Sequence, residues 1–139
     1  MSHAEMEAGR ELDALVAERV MGLSVQWDYG RVPFYWHPAT LAHGLEIGPD
    51  GLSAVRRPIK PYSTDISAAW LVVEKLRADG FYPEIHALTD GDWRCEIRAS
   101  GEPIDVWEDA PTAPLAICRA ALAAIATPST AAGEETTDD

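Results

Sequence analysis

The hydrophobic period changes several times along the chain, and each change predicts an element. From about Glu5 to Met21 the apolar residues Leu12, Leu15, Val16 and Val20 recur at helical spacing, while Glu7, Glu11, Asp13 and Glu18 occupy the other faces, the pattern of an amphipathic helix. Gly22 marks its end, since glycine accepts the left-handed conformation that closes many helices. A second stripe, Ile66, Ala69, Trp70, Val73 and Leu76, predicts the buried face of a helix capped by Ser63 or Thr64. Asp65 in its first turn complements the dipole and Gly80 falls just past its last turn. The period then drops to two. Phe81 to Leu88 sets Phe81, Ile85 and Ala87 against Tyr82, Glu84 and His86, and Trp93 to Ala99 sets Trp93, Cys95 and Ile97 against Arg94, Glu96 and Arg98. With Thr89-Asp90-Gly91-Asp92 as a hairpin loop, Ser100-Gly101-Glu102 as a second turn and Ile104 to Trp107 as a third strand, an antiparallel meander results.

A third helix begins near Thr112 or Ala113 and runs to about Ala126, with Pro114 tolerated in the first turn. Leu115, Cys118, Leu122 and Ile125 face one way, the other faces are mostly alanine, and Arg119 is the only charge. Such a helix is covered on more than one side, by a neighbouring helix, the sheet or a second subunit, which leaves a homo-oligomer open. Ser24 to Tyr62 is less regular. Short strands or a hairpin fit Ser24 to Trp36, and Gly48-Pro49-Asp50-Gly51 is a turn, proline presetting one backbone angle and glycine allowing the other. Thr127 to Asp139 has too little apolar surface to repay its ordering entropy and reads as a flexible acidic tail. The expected architecture is one α+β domain over residues 1–126, a small, mainly antiparallel sheet with helices on its faces, an alpha/beta/alpha sandwich.

Composition narrows the function. The 139 residues carry a formal charge of −12, and a field of that sign repels phosphate backbones and anionic bilayers, so nucleic acid is not an expected partner. The tail holds four of the acids, and the rest remains acidic without it. No apolar run approaches the about 18 residues of a membrane helix, and acids stand where a signal peptide has bases. A cytoplasmic protein is expected, consistent with two cysteines, Cys95 and Cys118, too few for a disulfide scaffold or a four-cysteine zinc site.

Three blocks carry a resemblance. They are Glu11-Leu12-Asp13-Ala14-Leu15-Val16-Ala17-Glu18-Arg19-Val20-Met21-Gly22, then Tyr62-Ser63-Thr64-Asp65-Ile66-Ser67-Ala68-Ala69-Trp70 followed by Val73-Glu74, then Thr112-Ala113-Pro114-Leu115-Ala116-Ile117-Cys118-Arg119-Ala120-Ala121-Leu122. In order and together they resemble the phage ABA sandwich domain proteins, small bacteriophage and prophage proteins with helices flanking a sheet. Ser24 to Pro61 matches weakly, and Leu23 stands where the family often has tryptophan. The resemblance implies the fold and a phage origin, hence the cytoplasm of a host cell, and brings no catalytic residues with it.

The candidate site follows from charge and rings. Arg56, Arg57 and Lys60 precede Tyr62, Ser63 and Thr64 at a helix start, where unpaired amides and the dipole favour an anion. Asp65 in the same turn opposes this, and Ser63 or Thr64 also serves as a plain cap. Trp27, Tyr29, Phe34, Tyr35 and Trp36 form an aromatic cluster able to stack on a base or fill a partner's pocket, as well as to build core. Trp27, Tyr35 and Trp36 beside Arg56 and Arg57 would suit a nucleotide-like ligand. No metal site is expected: His37 and His43, His86 and Cys95, and Asp92 show no known ligand spacing. There is no Gly-x-Ser-x-Gly elbow and no phosphate-binding glycine loop. A carboxylate pair drawn from Asp90, Asp92, Glu102 or Asp105 would be arbitrary among 23 acids. Two classes of function stay open. The favoured one is a non-enzymatic phage accessory protein that binds a small anionic molecule or a host protein, including to counter host defence, with no cofactor. The other is a small hydrolase or nuclease of unrecognised residues.

Overall fold

A computed structural model of the chain describes residues 6–38, 46–47, 53–99 and 105–126. The described elements are α1 (Arg10–Arg19), β1 (Gln26–Asp28), β2 (Val32–Pro38), β3 (Glu46–Ile47), β4 (Ser53–Pro58), α2 (Ile66–Ala78), β5 (Phe81–Ala87), β6 (Trp93–Ala99), β7 (Asp105–Ala110) and α3 (Ala113–Ala126). They form an α+β fold with two antiparallel sheets where the sequence reading has one. The second is the expected meander, in the order β5-β6-β7, and the first is a four-stranded sheet in the order β1-β2-β4-β3. That first sheet is built from the irregular 24–62 stretch. Its β1–β2 hairpin turns on Tyr29 and Gly30, both at positive φ, the combination that mirror-image hairpin turns require. The turn at residues 48–51, the turn at 100–102 and the tail lie outside the described residues.

The core lies between the meander and the helices. Strand β6 buries Cys95 and Ile97 completely, and α3 packs on β6 and β7 while also touching α2 and α1. Cover on several sides explains why Leu115, Ala116, Ile117, Cys118, Ala120, Ala121, Leu122 and Ala124 are all buried. An alanine-rich helix loses little side-chain entropy on forming and lets its neighbours approach closely. Thr112 starts α3, its Oγ1 accepting the Leu115 amide at 3.4 Å.

Four details differ from the sequence reading. Helix α1 begins at Arg10 rather than near Glu5, because Gly9 takes φ 151, a conformation that side chains resist, and gives its amide to Ser63 Oγ at 3.0 Å. Asp13, expected on a solvent face of that helix, is buried. The cap of α2 is Asp65, not Ser63 or Thr64: its carboxylate accepts the Ser67 amide at 2.9 Å. Finally, β7 continues to Ala110, because the charged Asp109 stands opposite Arg94 and pairs with it instead of ending the strand.

The buried stripe of α2 is also shifted. Ala68, Ala69, Val72, Val73 and Leu76 face the core, whereas Ile66 and Trp70, expected inside, are 51% and 49% exposed. Small residues at the α2–α3 contact allow close approach, and turning that face inward carries the two large side chains to the edge.

Candidate functional site

Strand register decides how the predicted site residues are distributed. Trp36 stands opposite Arg56 and Tyr35 opposite Arg57, while Trp27 stands opposite Pro33. Successive strand residues point to opposite faces. Trp36 and Arg56 therefore share one face of the first sheet with Phe34, and Tyr35, Arg57 and Trp27 take the other. The Arg56 guanidinium lies 4.7 Å from the Phe34 ring centroid and 5.2 Å from that of Trp36, and reaches Asp28 at 3.8 Å. The two arginines are thus brought to one strand pair but not to one pocket. Trp27 instead lines a cleft of about 590 Å³ between the start of α1 and the β1–β2 turn, where Glu7 and Glu11 are balanced by Arg10 and Arg31.

At the approach to α2 the residues divide again. Lys60 and Thr64 are exposed, Tyr62 and Ser63 are buried. Ser63 is fully engaged: its amide and hydroxyl donate to Asp13 Oδ1 at 2.8 and 2.6 Å, and its oxygen accepts the Gly9 amide. Burial pushes the Asp13 carboxyl up, with the Ser63 hydrogen bonds opposing it. Burial also pushes the Tyr62 phenol up, reinforced by Tyr35, Cys118 and Asp13 nearby. Ser63 and Asp13 form a structural clasp between α1 and the segment leading into α2, and the α2 N-terminus carries an acid.

The thiols are as closed as the serine. Burial pushes Cys95 up to about 12 and raises Cys118 further, so both stay protonated and neither serves as a thiolate nucleophile at neutral pH.

What the chain reading does not anticipate is an apolar groove of about 480 Å³ at the junction of α2, the meander and α3. Ile66 and Trp70, one turn apart on α2, form one wall. Ile85 on β5 and Trp93 at the start of β6 form the other, and Pro114 and Ile117 of α3 complete it. No charged or titratable side chain lines it. The prolines bring no amide donor, so the groove offers apolar area and ring faces, with no acid or base to move a proton. Asp65 and Asp92 immediately precede Ile66 and Trp93 in the chain. The available signal was the size of Ile66 and Trp70 beside the alanines and valines of the same helix, but which stripe turns inward depends on α3.

The solvent face of the meander holds a second arrangement that spacing along the chain does not show. Arg94 pairs with Asp109 and lies over the Trp107 ring at 4.3 Å. Arg98 reaches Glu96 at 3.2 Å and Glu84 at 3.8 Å, and His86 adjoins both glutamates. The sequence expectation names no metal ligands; the register places one donor atom each of Glu84, His86 and Glu96 within 4.8 Å of one another.

A helix-backed antiparallel meander, joined to a second sheet and without a catalytic constellation among the described residues, defines a small α+β sandwich domain. The chain belongs to the phage ABA sandwich domain family, whose profile matches residues 14–122. It is similar in fold to a phage protein from Bacillus cereus ATCC 14579 seen in a crystal structure, at 24% identity over 88% of this chain and 90% of that one, with a TM-score of 0.59. No curated protein matches it. Among the described residues, no helix is long and apolar enough to cross a membrane.

Proposed function

We propose that this phage-family domain is a non-enzymatic binding module whose partner is a host protein, held in the groove between α2, β5–β6 and α3. The observation that carries the reading is the exposure of Ile66, Trp70 and Trp93 around a cavity without a charged lining. Large apolar side chains clustered at a surface mark interaction sites, and tryptophan in a pocket supplies most of the energy where it is used. The occupant is an apolar segment flanked by Lys or Arg. The chain's charge of −12 and the acids beside the groove attract such a segment, and they oppose a second, equally acidic copy. The small-anion reading has less support, because Arg56 and Arg57 point to opposite faces and Ser63 is engaged by Asp13.

The test uses short peptides with a Leu-Ile-Trp centre and either Lys or Glu flanks, followed by tryptophan emission and melting temperature. Lys-flanked peptides are expected to bind saturably and raise the melting temperature, since a ligand of the native state stabilises by mass action. Trp70→Ala is expected to weaken binding by about tenfold or more, and Tyr82→Ala on the far face of the meander to leave it unchanged. Equal binding by both peptide sets, or none, or indifference to Trp70→Ala, would sink the reading. In the same assay a shift caused by ATP and lost in Arg56→Ala with Arg57→Ala would move the function to the first sheet. Growth of the particle mass with concentration, measured by sedimentation, would identify a second copy as the occupant instead.

A further inference from the structure

We infer that Glu84, His86 and Glu96 form a divalent transition-metal site, with Zn²⁺ as its best-suited ion, on the solvent face of β5–β6. Glu84 and His86 are two residues apart on β5 and so project to one face, and Glu96 of β6 stands directly opposite Glu84. His86 Nε2 lies 3.3 Å from Glu84 Oε1 and 3.9 Å from Glu96 Oε1. Ligand atoms bound to a tetrahedral ion at about 2.0–2.2 Å sit about 3.3–3.6 Å from each other. Small side-chain rotations therefore close the set around an ion, with no change in the strands.

Two features separate this arrangement from a chance group of surface acids. The first is the nitrogen donor. An imidazole with two carboxylates suits zinc and its first-row neighbours, whereas magnesium and calcium favour oxygen alone. The second is the division of oxygen atoms. Arg98 Nη2 takes Glu96 Oε2 at 3.2 Å and Arg98 Nη1 adjoins Glu84 Oε2 at 3.8 Å, while the Oε1 atoms of both glutamates face His86. The guanidinium orients the two carboxylates from outside the donor set, as hydrogen-bonding groups behind metal ligands do. Facing glutamates on adjacent strands repel each other, and a bound cation completes the compensation that Arg98 begins. Cys95 is not a competing ligand, because it points to the buried face of β6.

The experiment uses the full chain, freed of metal by chelation and titrated with Zn²⁺. It is followed by Trp107 emission, since Trp107 stands opposite Glu96, and by melting temperature. Saturable binding with one ion per chain and a rise of a few degrees in melting temperature are expected, with no response to Mg²⁺ at equal concentration. His86→Ala and Glu84→Gln should each weaken Zn²⁺ binding by about tenfold or more, while His37→Ala leaves it intact. All three side chains are in solvent contact, so circular dichroism of the metal-free variants should match the parent. Absence of saturable binding overturns the site. So does Zn²⁺ binding that survives both His86→Ala and Glu84→Gln, which would place the ion at another histidine.

Discussion

The two sheets share a strand-forming sequence pattern and differ in what lies behind them. The meander has α3 and α2 against one face, so β6 buries Cys95 and Ile97 fully and gives Arg94, Glu96 and Arg98 to solvent. The four-stranded sheet touches the helices chiefly through α1 and β2. Among its described residues only Pro33 and Ala54 are buried, although it holds Trp27, Phe34, Tyr35 and Trp36. Phe34 and Trp36 meet edge to face at 5.5 Å under the Arg56 guanidinium, and Tyr35 meets His37 on the other face. Alternation thus determines which side chains share a face, and the helix behind that face determines whether burial stabilises it. Aromatic content alone locates no core.

The strongest test of this contrast truncates one apolar side chain in each region. Leu122→Ala empties a fully buried position of α3 and is expected to cost about 2–5 kcal/mol, transfer and cavity terms together. Phe34→Ala removes a half-buried ring with one aromatic and one cationic contact and should cost about 1 kcal/mol. Denaturant unfolding at neutral pH measures both. Comparable losses would show that the first sheet belongs to the same core, and the distinction between the regions would fail.

Sequence reasoning reads best where a local rule decides alone. The meander, its Thr89–Asp92 loop and α3 with Pro114 in its first turn follow from alternation and turn chemistry. The family blocks also span the three helices and lead to the family that the profile match shows. The rest depends on contacts far apart in the chain. Which stripe of α2 faces inward depends on α3, and the burial of Asp13 depends on Ser63, 50 residues away. Both arginines of the basic stretch were visible, but adjacent strand residues take opposite faces, so their neighbourhood in sequence forbids a shared pocket. Glu84, His86 and Glu96 become a group only when Glu84 is registered against Glu96.

Asp13 and Ser63 lie where the chain leaves the first sheet and joins the helical half, so they test how firmly the two regions are tied. Asp13→Ala leaves the Ser63 amide and hydroxyl buried without their acceptor, at a cost of about 1–3 kcal/mol. Asp13→Asn keeps an acceptor oxygen and should cost less. The pH dependence has a definite sign. Burial holds the native Asp13 carboxyl above its unfolded value of 3.8, so between those two values the native state binds more protons than the unfolded one. The stability difference between parent and Asp13→Asn should therefore shift in favour of the parent as pH falls through that window, and against it as pH rises. Melting curves of both proteins between pH 7 and pH 4 measure this, and a shift in the opposite direction would mean that hydrogen bonding from Ser63 outweighs the loss of hydration.

The smallest effect concerns the first turn of α2, where the helix-backed half begins. Asp65 accepts the Ser67 amide from an exposed position, so Asp65→Ala should cost about 1 kcal/mol, the usual loss of a capping side chain. Thr64, one residue earlier and exposed, makes no such bond, and Thr64→Ala should leave the unfolding midpoint unchanged. The pair separates a true cap from a residue that merely has a capping side chain. If Thr64→Ala is the costlier change, then the helix starts one residue earlier in solution. The wall formed by Ile66 and Trp70 would keep its face, because a residue added at the N-terminus lengthens a helix by about 1.5 Å without rotating the residues already in it.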